Sequence, residues 1–341
     1  MDVLLVDDGV PFDGLTPSSQ PLGGAEKAFA SLPAALKARG HTVRVINRCA
    51  NPVTADGVSW QKWDAPRPQR CDVLIAYRRP ELLDFPVAAG RRILWLAMPA
   101  GYLARADNAA ILGRHAEAPV VVWSEAHRAT CPPALTDRVR VIAPGVGRAY
   151  LEDAPMAPAT PPRALVTSHP RMGLDWVVRM WRDHVRPAVT GAELHVYSAL
   201  LSRGADGGAI PEALTPVLEA VRAARGDGVV VLRPLGDPGM ADAYRAARAH
   251  LYPGSEDEVH CHTLAESQAV GLPGIARRRP AASACLVDGE TGFVVPDAEA
   301  FASCAILLLS EDAIFTARSA AARARRRDWD AAAAEFEALF P

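Results

Sequence analysis

The chain has 341 residues, which is long enough for two domains of ordinary size, each with its own core. Half of the residues are hydrophobic and 22% are charged, proportions that are ordinary for a soluble globular protein. The formal net charge is −2, and the sequence contains no P-loop, no zinc-finger spacing and no strongly basic domain. These features argue against a protein that binds nucleic acid.

Charge is unevenly distributed along the chain. Residues 1–150 hold 18 basic and 14 acidic side chains, a balance of +4, so the remaining residues carry −6. A mildly basic first half is compatible with peripheral contact with an anionic lipid surface, although a solvated face of mixed charge is the more common arrangement. Only Lys27, Lys37 and Lys62 are lysines, so arginine must serve wherever else a cation is needed.

The cysteines are scattered without any C-x-x-C spacing, and no signal peptide or transmembrane run is recognised. They are Cys49, Cys71, Cys131, Cys261, Cys285 and Cys304. This pattern predicts a reduced, cytoplasmic protein.

The first half alternates short apolar runs with longer helical patterns. Near-continuous apolar runs separated by helix-length segments are typical of a parallel sheet that is covered on both faces. The runs are residues 3–6, 42–46, 72–76, 93–97, 120–124 and 139–142. They predict a doubly wound, Rossmann-like domain over residues 1–152.

A proline-rich segment, residues 153–162, then interrupts the pattern, and its four prolines exclude a helix or a central strand. We interpret this segment as the linker between two domains. The alternation restarts in residues 163–325, with predicted strands at 164–168, 193–197, 229–232, 250–252, 274–276 and 293–295. The expected architecture is therefore α/β, with two doubly wound parallel-sheet domains that face a cleft and bind ligands at the carboxyl ends of their strands.

Two carboxylates, Glu258 and Glu266, flank the point where a strand of the second half gives way to a helix. Residues 251–253 predict the end of a buried strand, and residues 263–270 predict a helix. The N–H groups at a helix start favour an anion, which would suit a bound diphosphate. The alternative interpretation is a capping box, in which Thr263 and Glu266 only satisfy the first turn of the helix.

The run from Glu258 to Glu266, E-V-H-C-H-T-L-A-E, followed by S-Q-A-V-G-L-P, resembles the E-x7-E signature of retaining GT-B glycosyltransferases of family 4. In that family the first glutamate contacts the donor sugar and the second contacts the ribose of the nucleotide. The resemblance implies a GT-B architecture in which Glu258 is the catalytic residue. It extends over nearly the whole chain and implies that residues 326–341 form a C-terminal helix that crosses back to the first domain.

A glycine pair in the first half carries another part of the resemblance. The segment from Gly23 to Val43 resembles the family's first-domain signature, G-G-x-E-x-x-x-x-x-L-x-x-x-L-x-x-x-G-H-x-V. The resemblance implies that Gly23 and Gly24 face the donor phosphates and sugar, and that the first domain receives the acceptor. The alternative is an ordinary tight turn before an amphipathic helix.

The cations that hold the donor diphosphate in this family are not at their usual positions. Residues 165–175 resemble the strand and loop that carry an arginine and a lysine in the family, but this chain has Thr167 and Met172 there. Arg171 is the nearest replacement, because its planar fork binds phosphate oxygens in pairs, and an exposed loop arginine is the alternative. Three consecutive arginines, residues 277–279, are a further candidate for contact with an anion, with a solvated face as the alternative.

Together these features predict a glycosyltransferase that moves a sugar from a nucleotide-diphosphate sugar to an acceptor, with retention of the anomeric configuration. The acceptor is expected to be a glycan, a lipid-linked saccharide or a small molecule. No metal and no other cofactor is expected, since amides and an arginine would neutralise the departing diphosphate. The predicted catalytic residue is Glu258, and the predicted donor-binding residues are Gly23, Gly24, Arg171, His260, Cys261, His262, Thr263 and Glu266.

Two other functions are open on the sequence alone. The histidine that many relatives carry after the fourth strand of the first domain is absent from residues 95–99. Together with the missing lysine, this leaves a non-catalytic sugar-nucleotide-binding protein, or a partner subunit of an active glycosyltransferase, as an alternative. Glu258, His260 and His262 alternate along the chain and, with Cys261 nearby, form a candidate zinc site that lacks a distant further ligand.

Overall fold

The structure is a computed structural model that describes residues 1–341 apart from the side chain of Ser283. The chain forms two compact units. Unit 1 consists of Met1–Gly147 and Arg327–Pro341, and unit 2 consists of Arg148–Arg326. Each unit contains one mainly parallel sheet with helices, so the predicted α/β class is confirmed.

An eight-stranded sheet forms the core of unit 1. Its strands are β1 (Asp2–Val6), β2 (Thr42–Asn47), β3 (Val53–Ala55), β4 (Val58–Lys62), β5 (Arg70–Tyr77), β6 (Ala88–Trp95), β7 (Val120–Val122) and β8 (Val139–Val141). Their order is β3-β4-β2-β1-β5-β6-β7-β8, and every pairing is parallel except that of β3 with β4. Because β1 pairs with β2 on one side and β5 on the other, the strand order reverses between β1 and β5, where such sheets bind ligands.

The helices of this part of unit 1 connect the strands along the chain. They are α1 (Thr16–Ser19), α2 (Gly24–Ala38), α3 (Ala106–Arg114) and α4 (Glu125–Arg128), with 3-10 turns at Pro80–Asp84, Ala100–Ala104 and Pro133–Arg138. The longest of them, α2, buries Phe29, Leu32 and Leu36, whose spacing of three and four residues places them on one face. Phe29 packs on Tyr77 of β5 with ring centroids 4.9 Å apart, which fixes α2 against the sheet.

A six-stranded parallel sheet forms the core of unit 2. Its strands are β9 (Arg163–Val166), β10 (Glu193–Tyr197), β11 (Val229–Leu232), β12 (Ala249–Tyr252), β13 (Gly274–Arg277) and β14 (Gly292–Val295). Their order is β11-β10-β9-β12-β13-β14. The reversal of strand order therefore lies between β9 and β12.

Helices surround this second sheet and bury large apolar side chains such as Trp181 and Phe301. They are α5 (Arg148–Leu151), α6 (Leu174–Met180), a π-helix (Trp181–Val185), α7 (Arg186–Ala188), α8 (Ala199–Ala205), α9 (Thr215–Ala223), α10 (Asp237–Arg245), α11 (His262–Val270), α12 (Ala282–Cys285), α13 (Ala298–Ser310) and α14 (Asp312–Ala324), with 3-10 turns at Glu212–Leu214 and Arg225–Asp227.

The C-terminal segment belongs to unit 1. Its helix α15 (Trp329–Glu337) packs against α2. The rings of Trp329 and Phe336 lie 6.3 and 5.2 Å from that of Trp95. Arg39 donates a hydrogen bond of 3.0 Å to Asp330. Apolar contacts and an ion pair therefore both attach this segment to the first unit, the domain to which the family resemblance assigned it.

The predicted linker, residues 153–162, lies inside unit 2, because the division between the units falls after residue 147. The N–H of Ala157 donates to the carbonyl of Arg245 at 3.0 Å, which attaches the segment to the end of α10. The prolines exclude a helix here, as expected, but the residues between them still form backbone hydrogen bonds. The two units thus divide after residue 147 and again after residue 326, whereas the boundaries predicted for the linker lie at residues 152 and 163.

In the part of the chain that the structure describes, no single helix has the length and apolar composition needed to cross a membrane. The helices α13 and α14 meet those criteria only when taken together, and the pair is bent by 98°.

Candidate functional site

The loops that follow β9, β12 and β13 meet at the reversal point of the second sheet. Gly173, at the end of the first loop, has a φ of +88°, a left-handed conformation that other residues rarely adopt. A Cβ added there would lie 3.2 Å from the Cβ of Pro253 in the second loop and 4.0 Å from an amino nitrogen of Arg277 at the end of β13. A glycine at this position therefore lets the three loops approach one another.

Glu258 lies in the loop between β12 and α11 and is half-buried. Its Oε1 accepts a hydrogen bond from the hydroxyl of Tyr252, and its Oε2 accepts one from the N–H of Ser255 at 2.9 Å. Burial raises the pKa of Glu258, and the two hydrogen bonds oppose that rise. Residues of its own strand and loop thus hold the carboxylate in one orientation.

A cysteine pair and two histidines lie beside Glu258. The Sγ of Cys285 lies 3.5 Å from the carbonyl oxygen of Cys261 and 3.9 Å from Nδ1 of His260. The interaction between the two neighbouring thiols raises the pKa of Cys261 and lowers that of Cys285. The rings of His260 and His262 are in contact, with centroids 4.6 Å apart. Three of the predicted donor-binding residues therefore form one cluster near the predicted catalytic glutamate.

The start of α11 has no side-chain cap, because its N-cap residue is Cys261. The capping-box interpretation is therefore wrong: Thr263 lies inside the first turn instead of preceding it. Glu266, one turn further on, is only 5% exposed. Burial raises the pKa values of Tyr150 and Tyr244, and the charge of Glu266 adds to both rises. Glu266 thus lies in a different side-chain environment from Glu258.

Thr167 and Met172 stand where the family carries its phosphate-binding cations. The Oγ1 of Thr167 lies 2.9 Å from Nε2 of His250, and Nδ1 of that ring lies 2.8 Å from Oγ of Ser267. Complete burial lowers the pKa of His250 to about 3, so the ring is neutral. Thr167 therefore joins the loop after β9 to β12 and, through the histidine, to α11.

Arginines near this point differ in their surroundings. Arg171, the predicted replacement for the missing cations, is exposed, and its backbone N–H donates to Nδ1 of His169 at 3.2 Å. Arg277 is half-buried, and its guanidinium carbon lies 5.0 Å from the ring centroid of Trp176. Arg279 forms an ion pair with Glu256. The arginine closest to Gly173 among these three is thus on β13, not in the loop after β9.

In unit 1, Gly23 is the N-cap residue of α2 and Gly24 is its first residue. A Cβ added at Gly23 would lie 2.3 Å from Oε2 of Glu26, so this carboxylate is folded over the start of the helix. The other oxygen of Glu26 accepts a hydrogen bond of 2.7 Å from Arg78 at the end of β5. The positive end of α2 therefore already faces an anion of the protein itself.

Asp7, which directly follows β1, is a buried carboxylate beside this ion pair. It is 1% exposed, and its Oδ1 lies 3.9 Å from Nε of Arg78. Its Oδ2 is buried without a hydrogen-bond partner in the described part of the chain. Burial raises the pKa of Asp7 to about 6, Arg78 opposes the rise, and the charges of Asp8 and Glu26 add to it. Asp7 is the second carboxylate at the reversal point of the first sheet.

The predicted site residues fall into several groups. Gly23 and Gly24 belong to unit 1, and the others belong to unit 2. Within unit 2, the segment 258–263 forms the cluster around the predicted catalytic carboxylate, whereas Glu266 faces the tyrosines and Arg171 is exposed.

The geometry gives no support to the zinc hypothesis. Among the residues that the structure describes, no group of three or more His, Cys, Asp or Glu side chains is arranged to hold a metal ion. Glu258, His260 and His262 alternate in the sequence but do not form such a group.

Several residues of interest had no role in the sequence prediction. Asp7 and Tyr252 both lie at the carboxyl end of a strand beside the reversal point, which is a signal that the predicted strands already contained. Trp176 lies in a helix and has no such signal, because its contact with Arg277 joins residues about a hundred positions apart. Only the folded chain brings that pair together.

Comparison with known proteins agrees with this division of the chain. Residues 164–311 match the family model described as Glycosyl transferases group 1. A phosphatidyl-myo-inositol mannosyltransferase of Mycobacterium leprae is 34% identical over 130 residues, which are 36% of this chain and 34% of that protein. The match thus spans about a third of the length of this relative.

Solved structures match over the whole chain at low identity. Sucrose-phosphate synthase from Thermosynechococcus elongatus has a TM-score of 0.72 and 16% identity, with 99% of this chain and 97% of that chain covered. WaaG, a glycosyltransferase involved in lipopolysaccharide biosynthesis, has a TM-score of 0.69 and 16% identity, with 99% of each chain covered. HepE from Anabaena, solved in complex with UDP and glucose, has a TM-score of 0.67 and 14% identity, with 99% and 98% covered. Residues 164–311 are therefore similar to the glycosyl transferases group 1 family, and the chain as a whole has the GT-B fold.

Proposed function

We propose that this protein transfers a sugar from a nucleotide-diphosphate sugar to an acceptor, with retention at the anomeric carbon and without a metal ion. The family match over residues 164–311 and the similarity to a mannosyltransferase support the reaction class. The proposal rests mainly on the position of Glu258, which is held at the reversal point of the second sheet, in the loop before α11.

Chemically, the transition state places positive charge on the sugar and negative charge on the departing diphosphate. Glu258 orients the sugar hydroxyls, because its carboxylate accepts hydrogen bonds and its own orientation is fixed by Tyr252 and Ser255. The first-turn amides of α11, at His262 and Thr263, face the diphosphate. The leaving phosphate accepts the proton of the acceptor hydroxyl in a front-face substitution, so the protein supplies no separate base.

Glu266 is assigned to the ribose of the nucleotide by the family resemblance. The two tyrosines near it, and the hydrogen bond of 2.9 Å that Tyr150 donates to Asp237, would border that position. The acceptor is proposed to be a glycan, a lipid-linked saccharide or a small molecule, received by unit 1. The free cysteines support a reducing, cytoplasmic location. The mildly basic charge of residues 1–150 supports a peripheral contact of unit 1 with an anionic membrane.

A non-catalytic sugar-nucleotide-binding protein is the second candidate. The observation that favours it is the use of Thr167 in a hydrogen bond to a neutral, buried His250, where the family places a phosphate-binding arginine.

The experiment that separates the two functions measures turnover and binding in the same variants. Wild type, Glu258→Gln and Asp257→Asn are assayed for hydrolysis or transfer with a panel of nucleotide sugars, and thermal shifts with the same ligands report binding. We expect Glu258→Gln to lower kcat/KM by about 10- to 100-fold, since it replaces charge-assisted hydrogen bonds to the sugar by neutral ones.

Asp257→Asn is the matched control, because Asp257 is the exposed neighbour in the same loop and should leave turnover unchanged. Stabilisation of wild type by a sugar nucleotide without any turnover would favour the binding protein instead. No stabilisation by any member of the panel would contradict both functions.

A further inference from the structure

The loop after β9 offers little positive charge to a bound diphosphate. Thr167 is hydrogen-bonded to His250, and Met172 carries no charge. Arg171 is exposed, so a contact between this residue and an anion would remain screened by water. A diphosphate nevertheless needs cationic partners, because charge-assisted hydrogen bonds to its oxygens are the strong ones. Another element has to provide the cation.

Arg277 has the features that such a cation requires. It is half-buried at the end of β13, and an amino nitrogen lies 4.0 Å from the Cβ position of Gly173. Its guanidinium carbon is 5.0 Å from the ring centroid of Trp176, a contact that holds a planar guanidinium and leaves its edge for hydrogen bonds. Among the residues that the structure describes, it forms no ion pair. No carboxylate in the described chain therefore lies within ion-pair distance of Arg277, and the nearby charge of Glu256 is paired with Arg279.

The two arginines that follow Arg277 in the sequence make other contacts. Arg278 is exposed, and its N–H donates to the carbonyl of Val295 on the next strand. Arg279 is paired with Glu256. Burial lowers the pKa of Arg277, and repulsion by Arg279 adds to this effect. An anion bound beside Arg277 would offset that repulsion.

The position of Arg277 relative to Glu258 follows from a chain of contacts. Gly173 packs on Pro253, and a Cβ added at the adjacent Gly254 would lie 3.4 Å from Cγ of Arg279 and 3.5 Å from Oε2 of Glu258. Arg277, the loop after β12 and the catalytic candidate thus belong to one set of touching loops.

We propose that Arg277, positioned by Trp176, is the cation that binds the diphosphate of the donor in this chain, in place of the loop after β9. The inference rests on the proposed function for the identity of the ligand. Arg171 is then a solvent-exposed loop residue without a part in binding.

The test compares Arg277→Ala with Arg171→Ala, which removes the same side chain from the same region. Isothermal titration measures the binding of inorganic pyrophosphate, of UDP, GDP and ADP, and of the corresponding nucleosides. Arg277→Ala should weaken binding of pyrophosphate and of the preferred nucleoside diphosphate by about 10- to 100-fold, and leave nucleoside binding unchanged. Arg171→Ala should change none of these affinities by more than about threefold.

Two further variants test the mechanism. Arg277→Lys keeps the charge but loses the planar fork, so it should restore part of the affinity that Arg277→Ala loses. Trp176→Leu should weaken diphosphate binding in the wild-type background and have no further effect on that binding in Arg277→Ala, because Trp176 influences the ligand through the arginine and otherwise packs on Phe301. Circular dichroism verifies that each variant is folded.

The outcomes distinguish the inference from the proposed function. If Arg171→Ala loses diphosphate affinity and Arg277→Ala does not, the assignment of Arg277 is overturned while the transferase remains. If wild type binds pyrophosphate through Arg277 but binds no nucleoside diphosphate, the anion site stands and the proposed function is overturned. If wild type binds neither, both are overturned.

Discussion

Arg78 of unit 1 follows β5, which borders the reversal of strand order in its sheet, and Arg277 of unit 2 ends β13, one strand away from the reversal in the second sheet. The surroundings of these two arginines are opposite. Arg78 donates to Glu26 at 2.7 Å and lies 3.9 Å from Asp7. Arg277 has an aromatic ring beneath it and no carboxylate partner in the described chain. The first arginine neutralises two acids of the protein, whereas the second keeps its charge for a ligand.

A helix that begins with glycines is therefore not sufficient for an anion site. At α2, the glycine pair is present, but the carboxylate of Glu26 already occupies the positive end of the helix. At α11, no side chain caps the helix and no acid lies in its first turn. The local charges therefore favour an anionic donor at unit 2, and the phosphate contact predicted for Gly23 and Gly24 stays a prediction.

The strongest test of the comparison removes each arginine in turn. Arg78→Met should lower the free energy of unfolding by about 2–4 kcal/mol, because it leaves the buried Asp7 and the half-buried Glu26 without their cation. Arg277→Met should lower it by no more than about 1 kcal/mol, since it removes only a contact with an aromatic ring. Chemical denaturation at pH 7.5, followed by circular dichroism, measures both changes. Equal losses in the two variants would show that Arg277 has a structural role like that of Arg78.

The second test concerns the acid that Arg78 only partly neutralises. The pKa of Asp7 is raised from 3.8 to about 6, so its negative charge is disfavoured in the folded state. The stability contributed by its protonated form is fully present below about pH 4 and is lost as the pH rises through 6. Asp7→Asn should therefore increase the free energy of unfolding by about 1–3 kcal/mol at pH 8, and by progressively less as the pH falls to 4.

Asp8→Asn is the control for that experiment. Asp8 is the adjacent acid, and it pairs with Arg79 at 2.7 Å. Its replacement removes that ion pair and relieves only part of the repulsion on Asp7, so Asp8→Asn should stabilise the protein less than Asp7→Asn does at pH 8. The test is to measure the unfolding midpoints of wild type and both variants between pH 4 and pH 8. A stabilisation by Asp7→Asn that is independent of pH would contradict the assignment of a raised pKa.

Much of the fold could be predicted because it depends on local patterns. Each predicted apolar run corresponds to a strand, since strands buried on both faces read as continuous hydrophobic segments. The edge strand β3 and its neighbour β4 were missed, because segments such as Val58–Lys62 mix polar and apolar residues. The helix after Glu258 was also predictable from its flanking strand and its closing glycine.

The site could be predicted only in part, because its charges depend on contacts between distant residues. The sequence placed Glu258 in its loop and named Arg171 as the cation for the diphosphate, but it gave no view of the surroundings of Arg277. Those surroundings depend on Trp176, and the choice between a capping box and an open helix start depends on where α11 begins. Likewise, the strand end at Asp7 was visible, whereas its burial beside Arg78 was not.

The smallest effects are expected from adding a methyl group at the N-cap glycines of α6 and α2, which are Gly173 and Gly23. Gly173→Ala should lower the free energy of unfolding by about 1–2 kcal/mol, because its φ of +88° disfavours a side chain and the new Cβ would lie 3.2 Å from Pro253. Gly23→Ala should cost less, about 0.5 kcal/mol, since its φ of −65° suits any residue and the atom in the way is the end of the flexible side chain of Glu26. Both changes are measured as shifts of the denaturation midpoint at pH 7.5. A larger loss for Gly23→Ala would mean that the side chain of Glu26 cannot move away from the start of α2. The reversal points of the two sheets would then differ in rigidity as well as in charge.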